Sequence, residues 1–125
     1  MLGWHISVYR QLDGGTGPAT PETSAGTRLA VWQTSWDGLG WLDQLAAEGK
    51  AIDLGGNGYP NRYTAIAAHL LPRILARPPK AQSPWVIGEG TVDPEVWVGT
   101  TVIARAEAKK CRSDEWLLVE AWDES

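Results

Sequence analysis

The segment that most constrains the fold of this chain is EWLLVEAW, residues 115–122. In an extended strand, successive side chains point to opposite faces of the sheet. One face of this segment carries Leu117, Val119 and Ala121, and the other carries Trp116, Leu118, Glu120 and Trp122. Because both faces are largely apolar, we expect a strand in the sheet interior, with helices covering one face and a partner or an aromatic layer covering the other.

Two more strands are predicted near the other end of the chain. Trp4, Ile6 and Val8 alternate with more polar residues, which is typical of a half-buried strand. The segment TRLAVWQTS, residues 27–35, predicts another strand, which we expect to pair with the first. Between them, residues 13–26 are rich in Gly, Pro, Thr and Ser and predict a long, mobile surface loop.

The first of three predicted helices lies in SWDGLGWLDQLAAEGK, residues 35–50. Ser35 and Asp37 are the alternative residues that would cap its N-terminus, because their side-chain oxygens can accept hydrogen bonds from the first turn. Gly49 stands where a helix commonly ends on a left-handed glycine.

The other two predicted helices follow later in the chain. One is expected to begin near residues 61–64 and to bury a stripe of Ile66, Leu70 and Ile74, which recur at a spacing of four. The other is the alanine-rich segment TVIARAEAKKC, residues 101–111, whose basic last turn complements the helix dipole.

Shorter segments complete the predicted architecture. Residues 51–54 and WVIGEG, residues 85–90, predict strands, whereas VDPEVWVGTT, residues 92–101, is strand-like but broken by proline and glycine. Strands and helices therefore occur in mixed order. This order predicts a small single-domain α+β fold over residues 1–125, with a mainly antiparallel sheet and two or three helices packed on one face.

Composition limits the class of protein. Hydrophobic residues make up 43% and charged residues 21% of the chain, which argues against disorder. The single cysteine, Cys111, excludes an internal disulfide framework and fits a reducing compartment. The longest apolar stretch is too short to cross a bilayer and the N-terminus lacks a signal-peptide pattern, so we expect a cytoplasmic protein with no membrane partner. Abundant Ala, Gly and Trp, with more Arg than Lys, would suit a bacterial or phage genome rich in GC.

The charge and the aromatic content bear on partners. The formal net charge of −4 argues against nucleic-acid binding and slightly favours a basic protein partner. The chain has eight Trp, three Tyr and no Phe. Because each indole N–H needs a hydrogen-bond partner, several Trp rings are expected at the edge of the core, and Trp is also enriched at binding hot spots. The oligomeric state is left open.

The most site-like loop lies in AIDLGGNGYPNRYTAIAAHLL, residues 51–71. On a functional interpretation, its backbone N–H groups converge on an anionic small molecule at a helix start. The ligand-binding residues would then be Asp53, Asn57, Asn61, Arg62, Tyr63 and His69.

A structural interpretation of the same loop is simpler, and we favour it. The loop matches neither GxGxxG nor GxxxxGK followed by Ser or Thr, and Pro60 removes one N–H donor. Its glycines can adopt positive φ, and the dipeptide Asn57–Gly58 is typical of a turn.

The remaining reactive side chains favour structural roles. His5 and His69 are the only histidines, and no two candidate ligands show the spacing of a zinc motif, so we expect no metal, cofactor or catalytic residue. Cys111 has basic neighbours that would lower its pKa, but a helix C-terminus opposes the thiolate. Glu120, within an apolar strand, is expected to pair with an arginine such as Arg10 or Arg28, or else to have a raised pKa.

Three hypotheses for function follow. The first is a non-catalytic interaction protein, similar in kind to inhibitors, immunity proteins or accessory subunits, that binds another protein through Trp4, Trp116 and Trp122. The second is a small enzyme or ligand-binding domain that uses the loop at residues 53–63, which requires Asp53, Arg62 and His69 to converge on a pocket. The third is carbohydrate binding on an exposed Trp flanked by polar side chains.

Overall fold

The computed structural model describes residues 3–75, 78–81, 85–88, 90, 92 and 101–123. The described residues form seven strands and three helices. The strands are β1 Gly3–Gln11, β2 Ala25–Ser35, β3 Ile52–Gly55, β4 Asn61–Ile66, β5 Trp85–Gly88, β6 Thr101–Ala104 and β7 Trp116–Asp123. The helices are α1 Gly40–Ala47, α2 Ala67–Ile74 and α3 Arg105–Ala108.

The seven strands form one sheet in the order β3-β4-β7-β1-β2-β6-β5. Neighbouring strands are antiparallel except for β5 and β6, which are parallel. The small single-domain α+β fold with a mainly antiparallel sheet is thereby confirmed. None of the described helices is long and apolar enough to cross a bilayer.

Strand β7 lies inside the sheet, as its two apolar faces predict. It pairs with β1 along one edge and with β4 along the other. Every residue from Leu117 to Ala121 is buried, including Glu120. The main hydrophobic cluster takes Leu117, Val119 and Ala121 from β7 and adds buried side chains from all three helices. The apolar residues on both faces of β7 therefore agree with the burial of both faces in the structure.

The predicted pairing of the first two strands is also confirmed. Ile6 lies opposite Trp32, and Val8 lies opposite Ala30. The register shifts after Val8, so that Tyr9 lies opposite Arg28. This irregularity is a β-bulge, and it places the Tyr9 and Arg28 side chains side by side.

The loop between β1 and β2 is tied to the sheet at several points. The Ala19 N–H donates to Thr64 Oγ1 at 3.1 Å, and Gln11 Nε2 donates to the Gly17 carbonyl at 2.9 Å. Arg62 donates to the carbonyls of Pro21 and Thr23. These contacts hold the loop against β1 and β4, and its mobility stays a prediction.

The predicted start of the second helix is wrong. Asn61–Ile66 is strand β4, and the helix begins at Ala67. The reason is that β4 has strand partners on both sides, β3 and β7, whose hydrogen bonds a helix would forfeit. The N–H groups of Ala67 and Ala68 then donate to the carbonyls of Glu115 and Ser113, so the first helical turn is satisfied without a side-chain cap.

The third predicted helix is wrong in its first half and too long. Thr101–Ala104 is strand β6, which pairs with β2, and only Arg105–Ala108 is helical. Val102 and Ile103 are β-branched and fit the sheet better than a helix. The ambiguous segment at residues 92–101 lies mostly outside the described residues.

The first helix confirms one predicted terminus and corrects the other. Gly49 follows its C-terminus with a φ of 76°, as expected. The predicted caps are wrong, because Leu39 is the N-cap and makes no side-chain hydrogen bond. Ser35 instead donates to Asp37, and Asp37 forms an ion pair with Lys80.

Candidate functional site

An exposed tryptophan stands at the turn that follows β2. Trp36 is 55% exposed, and its ring stacks on Trp4 with 5.2 Å between centroids and 16° between planes. The indole Nε1 of Trp4 donates to the Trp36 carbonyl at 3.1 Å. The turn is tight, since a Cβ at Gly38 would overlap the Thr34 side chain. The Trp36 backbone and ring are therefore both held in place.

Beside this ring runs an open groove with a volume of about 460 Å³, which we call the Trp36 groove. It is lined by Trp4, Trp36, Asp37, Leu39, Gly40, Asp43, Asn61 and Tyr63. These residues come from β1, the turn after β2, α1 and β4. The groove thus combines aromatic rings with carboxylate and amide groups.

The two carboxylates of the groove are oriented by hydrogen bonds. Tyr63 donates its hydroxyl to Asp43 Oδ1 at 3.1 Å. Burial, followed by the charge of Asp43, raises the pKa of Tyr63 above its ordinary value, so the phenol stays protonated and continues to donate. Hydrogen bonds from Lys80 and Ser35 lower the pKa of Asp37, which is therefore ionised at neutral pH.

The charge of the groove is negative. Its lining residues, all of them described, include two carboxylates and no basic side chain. Lys80, outside the lining set, offsets Asp37 from one side. Asp53 lies opposite Tyr63 in the β3–β4 pair and adds negative charge next to the groove. The Trp36 groove is therefore complementary to a cationic or hydrogen-bonding group.

The glycine-rich loop uses its polar groups to turn the chain between β3 and β4. Asp53 Oδ1 accepts from the Gly55 N–H at 2.8 Å, and Asn61 Oδ1 accepts from the Gly58 N–H at 2.9 Å. Asn57 Oδ1 accepts from the Tyr59 N–H at 3.3 Å. One side-chain oxygen each of Asp53, Asn57 and Asn61 therefore stabilises the turn.

The glycines of this loop are required by its geometry. Gly55, Gly56 and Gly58 have φ values of 82°, 130° and 92°. A Cβ at Gly56 would lie 2.3 Å from the Pro60 carbonyl oxygen. The structural interpretation therefore accounts for the glycines without a ligand.

The side chains of Arg62 and His69 make no described hydrogen bond to the glycine-rich loop. Arg62 Nη2 lies 2.6 Å from Glu120 Oε2, and Nη1 donates to the carbonyls of Pro21 and Thr23 in the loop between β1 and β2. His69 lies on α2, and its buried Nδ1 has no hydrogen-bond partner in the described part of the chain. Asp53 lies opposite Tyr63, and Arg62 is the neighbouring position of β4, so their side chains point to opposite faces. The described contacts thus do not bring Asp53, Arg62 and His69 together, and ligand binding by this loop stays a prediction.

The three Trp residues predicted as an interaction surface are dispersed. Trp4 is 8% exposed and belongs to the main cluster, whereas Trp122 is 39% exposed and lies opposite His5. Since Trp4 and His5 are adjacent in β1, Trp4 and Trp122 face opposite sides of the sheet. Trp116 is half-buried beside Ile66. Their role in binding stays a prediction.

Trp36 is the residue that sequence reasoning missed. The available signal was its place in SWDG, where a large apolar ring sits between turn-forming residues just after a strand. A side chain at such a turn has little core to pack against, so its exposure could have been anticipated.

The remaining reactive groups are held in structural surroundings. Burial, followed by the charge of Glu115, raises the pKa of the Cys111 thiol to about 11, which disfavours the thiolate. Glu115 is itself buried and bound by Arg10 Nε at 2.8 Å and Nη2 at 3.0 Å. Within the part of the chain that the structure describes, no three His, Cys, Asp or Glu side chains cluster as a metal site.

Comparison with protein-family models, with curated proteins and with solved structures finds no significant match to this chain.

Proposed function

We propose that this protein is a non-catalytic binding protein that holds another protein in the Trp36 groove. The observation that carries the proposal is the exposed Trp36 ring, backed by the buried ring of Trp4 at the wall of that groove. Tryptophan is enriched among the residues that dominate binding energy. Because stacking already orders this ring, the Trp36 side chain loses little conformational freedom when a partner packs against it.

The charge of the groove supports a basic segment as the bound element. An arginine or lysine of the partner can lie over the exposed face of Trp36, where a cation–π contact contributes about 0.5–1 kcal/mol. The same cation lies within the field of Asp37 and Asp43, the two carboxylates of the groove. The net charge of −4 adds long-range attraction that speeds encounter with a basic partner.

The experiment is affinity capture with the wild-type protein, identification of the partner by mass spectrometry, and measurement of its dissociation constant by calorimetry. Trp36→Ala is expected to weaken binding about 30-fold, which is the effect of a hot-spot residue worth about 2 kcal/mol. Asp43→Asn is expected to weaken binding less and to reduce its dependence on salt, because one carboxylate of the groove is lost.

Trp122→Ala is the matched control, since that ring is also partly exposed but faces the other side of the sheet. It is expected to leave the dissociation constant unchanged. If Trp122→Ala weakened binding while Trp36→Ala did not, the groove would be the wrong surface. Melting temperatures of all variants check that each protein is folded.

Carbohydrate binding is a second candidate, favoured by the polar side chains around Trp36. A sugar ring can stack on an exposed indole, and Asp43 and Asn61 line the same groove as hydrogen-bonding groups. A glycan array probed with the wild-type protein and with Trp36→Ala tests this candidate. Neutral-glycan binding that is lost in Trp36→Ala, with no protein captured, would favour it over a basic protein partner.

A further inference from the structure

Arg28 is a partly buried arginine whose charge has no carboxylate partner within the described part of the chain. Its guanidinium carbon lies 5.5 Å from the centre of the Tyr9 ring, and Nη2 donates to the Tyr9 hydroxyl at 3.3 Å. Nε and Nη1 are buried and make no hydrogen bond with the residues that the structure describes. Two charged donor groups are thus shielded from water and left unsatisfied.

The other sheet arginines show how unusual this arrangement is. Arg10 is bound to Glu115 at 2.8 Å, and Arg62 is bound to Glu120 at 2.6 Å. An unpaired charge out of contact with water is costly, and structures normally satisfy it with an opposite charge. Arg28 is partly buried like Arg10 and Arg62, but no described carboxylate pairs with it.

A second unsatisfied group lies on the same face of β1. His5 is four residues before Tyr9, so both side chains point to one side of the sheet, with Ser7 between them. The Nε2 atom of His5 is buried and has no hydrogen-bond partner among the described residues. Burial, followed by the charge of Arg28, lowers the pKa of His5, which indicates that the guanidinium lies near the imidazole. Ser7 itself is 2% exposed.

We propose that Arg28 and His5 form a binding site for a small oxyanion of the carboxylate or phosphate class, on the sheet face that carries Ser7 and Tyr9. The anion would accept hydrogen bonds from the free donors of Arg28 and neutralise its charge. Hydrogen bonds to charged groups are strongest where water is excluded, which is the condition at these atoms. His5 would contribute either a neutral N–H or, once the anion is bound, a protonated imidazole that the negative charge favours.

The first test compares melting temperatures in sodium phosphate and sodium acetate with those in sodium chloride at equal ionic strength. For the wild-type protein, an anion at ten times its dissociation constant is expected to raise the melting temperature by about 5 °C. Arg28→Met should lose the part of this rise in melting temperature that is specific to the anion. Arg105→Met is the matched control, because it removes an equal charge from an exposed position and should keep it.

The second test needs only the wild-type protein, so it holds even if Arg28→Met does not fold. The imidazole resonances of His5 are expected to shift as phosphate or acetate is added, and those of His69 are expected to stay in place. The anion that acts at the lower concentration identifies the class of ligand.

Three results would overturn the proposal. One is a wild-type protein whose His5 resonances respond to neither anion. Another is an equal rise in melting temperature for wild type and Arg28→Met, which would be the general effect of phosphate on protein hydration. The third is an Arg105→Met variant that loses the anion-specific rise as completely as Arg28→Met does, which would mean that the effect does not depend on Arg28 in particular.

Discussion

The Arg62 guanidinium and the Glu120 carboxylate lie 2.6 Å apart, directly opposite each other in the β4–β7 pair. Both side chains are mostly buried, with 21% and 9% of their surfaces exposed. Arg62 also donates to the carbonyls of Pro21 and Thr23, so the pair joins the sheet to the loop between β1 and β2. The arginine that the functional interpretation assigned to a ligand therefore has a structural role, and its role in ligand binding stays a prediction.

Removing one member of this pair is expected to destabilise the protein. Arg62→Met leaves the Glu120 carboxylate without its cation, and we expect a loss of about 3 kcal/mol in the free energy of unfolding. The double variant Arg62→Met/Glu120→Leu should lose less than the sum of the two single variants, because no charge is stranded. Urea denaturation of the four proteins gives the coupling energy, and additive losses would show that the pair does not act as a unit.

Gly49 and Gly56 both have positive φ, and Gly49, which follows α1, serves as a control for a test of Gly56 in the turn between β3 and β4. Gly49→Ala meets open space and should cost about 1 kcal/mol through its backbone conformation alone. Gly56→Ala adds a steric overlap with the Pro60 carbonyl and should cost about 3 kcal/mol. Thermal unfolding measures both. Equal losses would mean that the loop relaxes freely and that its glycines are not fixed by the turn.

The buried imidazole of His5 is expected to make stability depend on pH. Burial and the charge of Arg28 place its folded-state pKa below the ordinary value of 6.5, so the unfolded chain binds more protons below that pH. The stability contribution is fully present above about pH 6.5 and is lost as pH falls from there toward the folded-state pKa.

His5→Gln should flatten the stability profile in that window. The measurement is urea denaturation of the wild type and the variant in chloride buffers across the window, which avoids the anions tested above. Parallel profiles for the two proteins would contradict the expectation.

The thiol of Cys111 is expected to react slowly in the folded protein. A pKa near 11 instead of 9 leaves a thiolate fraction about 100-fold lower at neutral pH. Alkylation by iodoacetamide at pH 7.5 should therefore be much slower in the native state than in urea, with a rate that still rises above pH 9. A native rate equal to the unfolded rate would indicate an accessible, unperturbed thiol.

Much of the sheet could be predicted from single strands. The two apolar faces of β7 and the alternating pattern of β1 predict both strands correctly, because the spacing of apolar residues within one strand indicates which of its faces are buried. Residues 61–66 and 101–104 were predicted as helix because alanine content and four-residue spacing favour one. These segments are strands because β4 pairs with β7 and β6 pairs with β2. The order of strands in the sheet supplies those partners, and it cannot be read from the local sequence.

The candidate site was less predictable for the same reason. Glu120 was expected to pair with an arginine, but the partner is on β4 because that strand adjoins β7. Trp4 and Trp122 look equivalent in sequence. In the β1–β7 pair, however, Trp122 lies opposite His5, the residue after Trp4, so the two rings point to opposite faces of the sheet. The unsatisfied atoms of Arg28 and His5 depend on how the paired strands and their register shifts orient side chains, which residue spacing alone does not encode.

The adjacency of β1 and β7 has a consequence for biosynthesis. Arg10 and Glu115, which join these neighbouring strands, are 105 positions apart. While the chain is still emerging from the ribosome, β1 can pair with β2 but has no neighbour on its other edge, and β4 is likewise unpaired on the side that β7 will occupy. The central strands can pair completely only after translation has passed residue 123, so the nascent chain carries open strand edges until β7 has emerged and is exposed to aggregation up to that point.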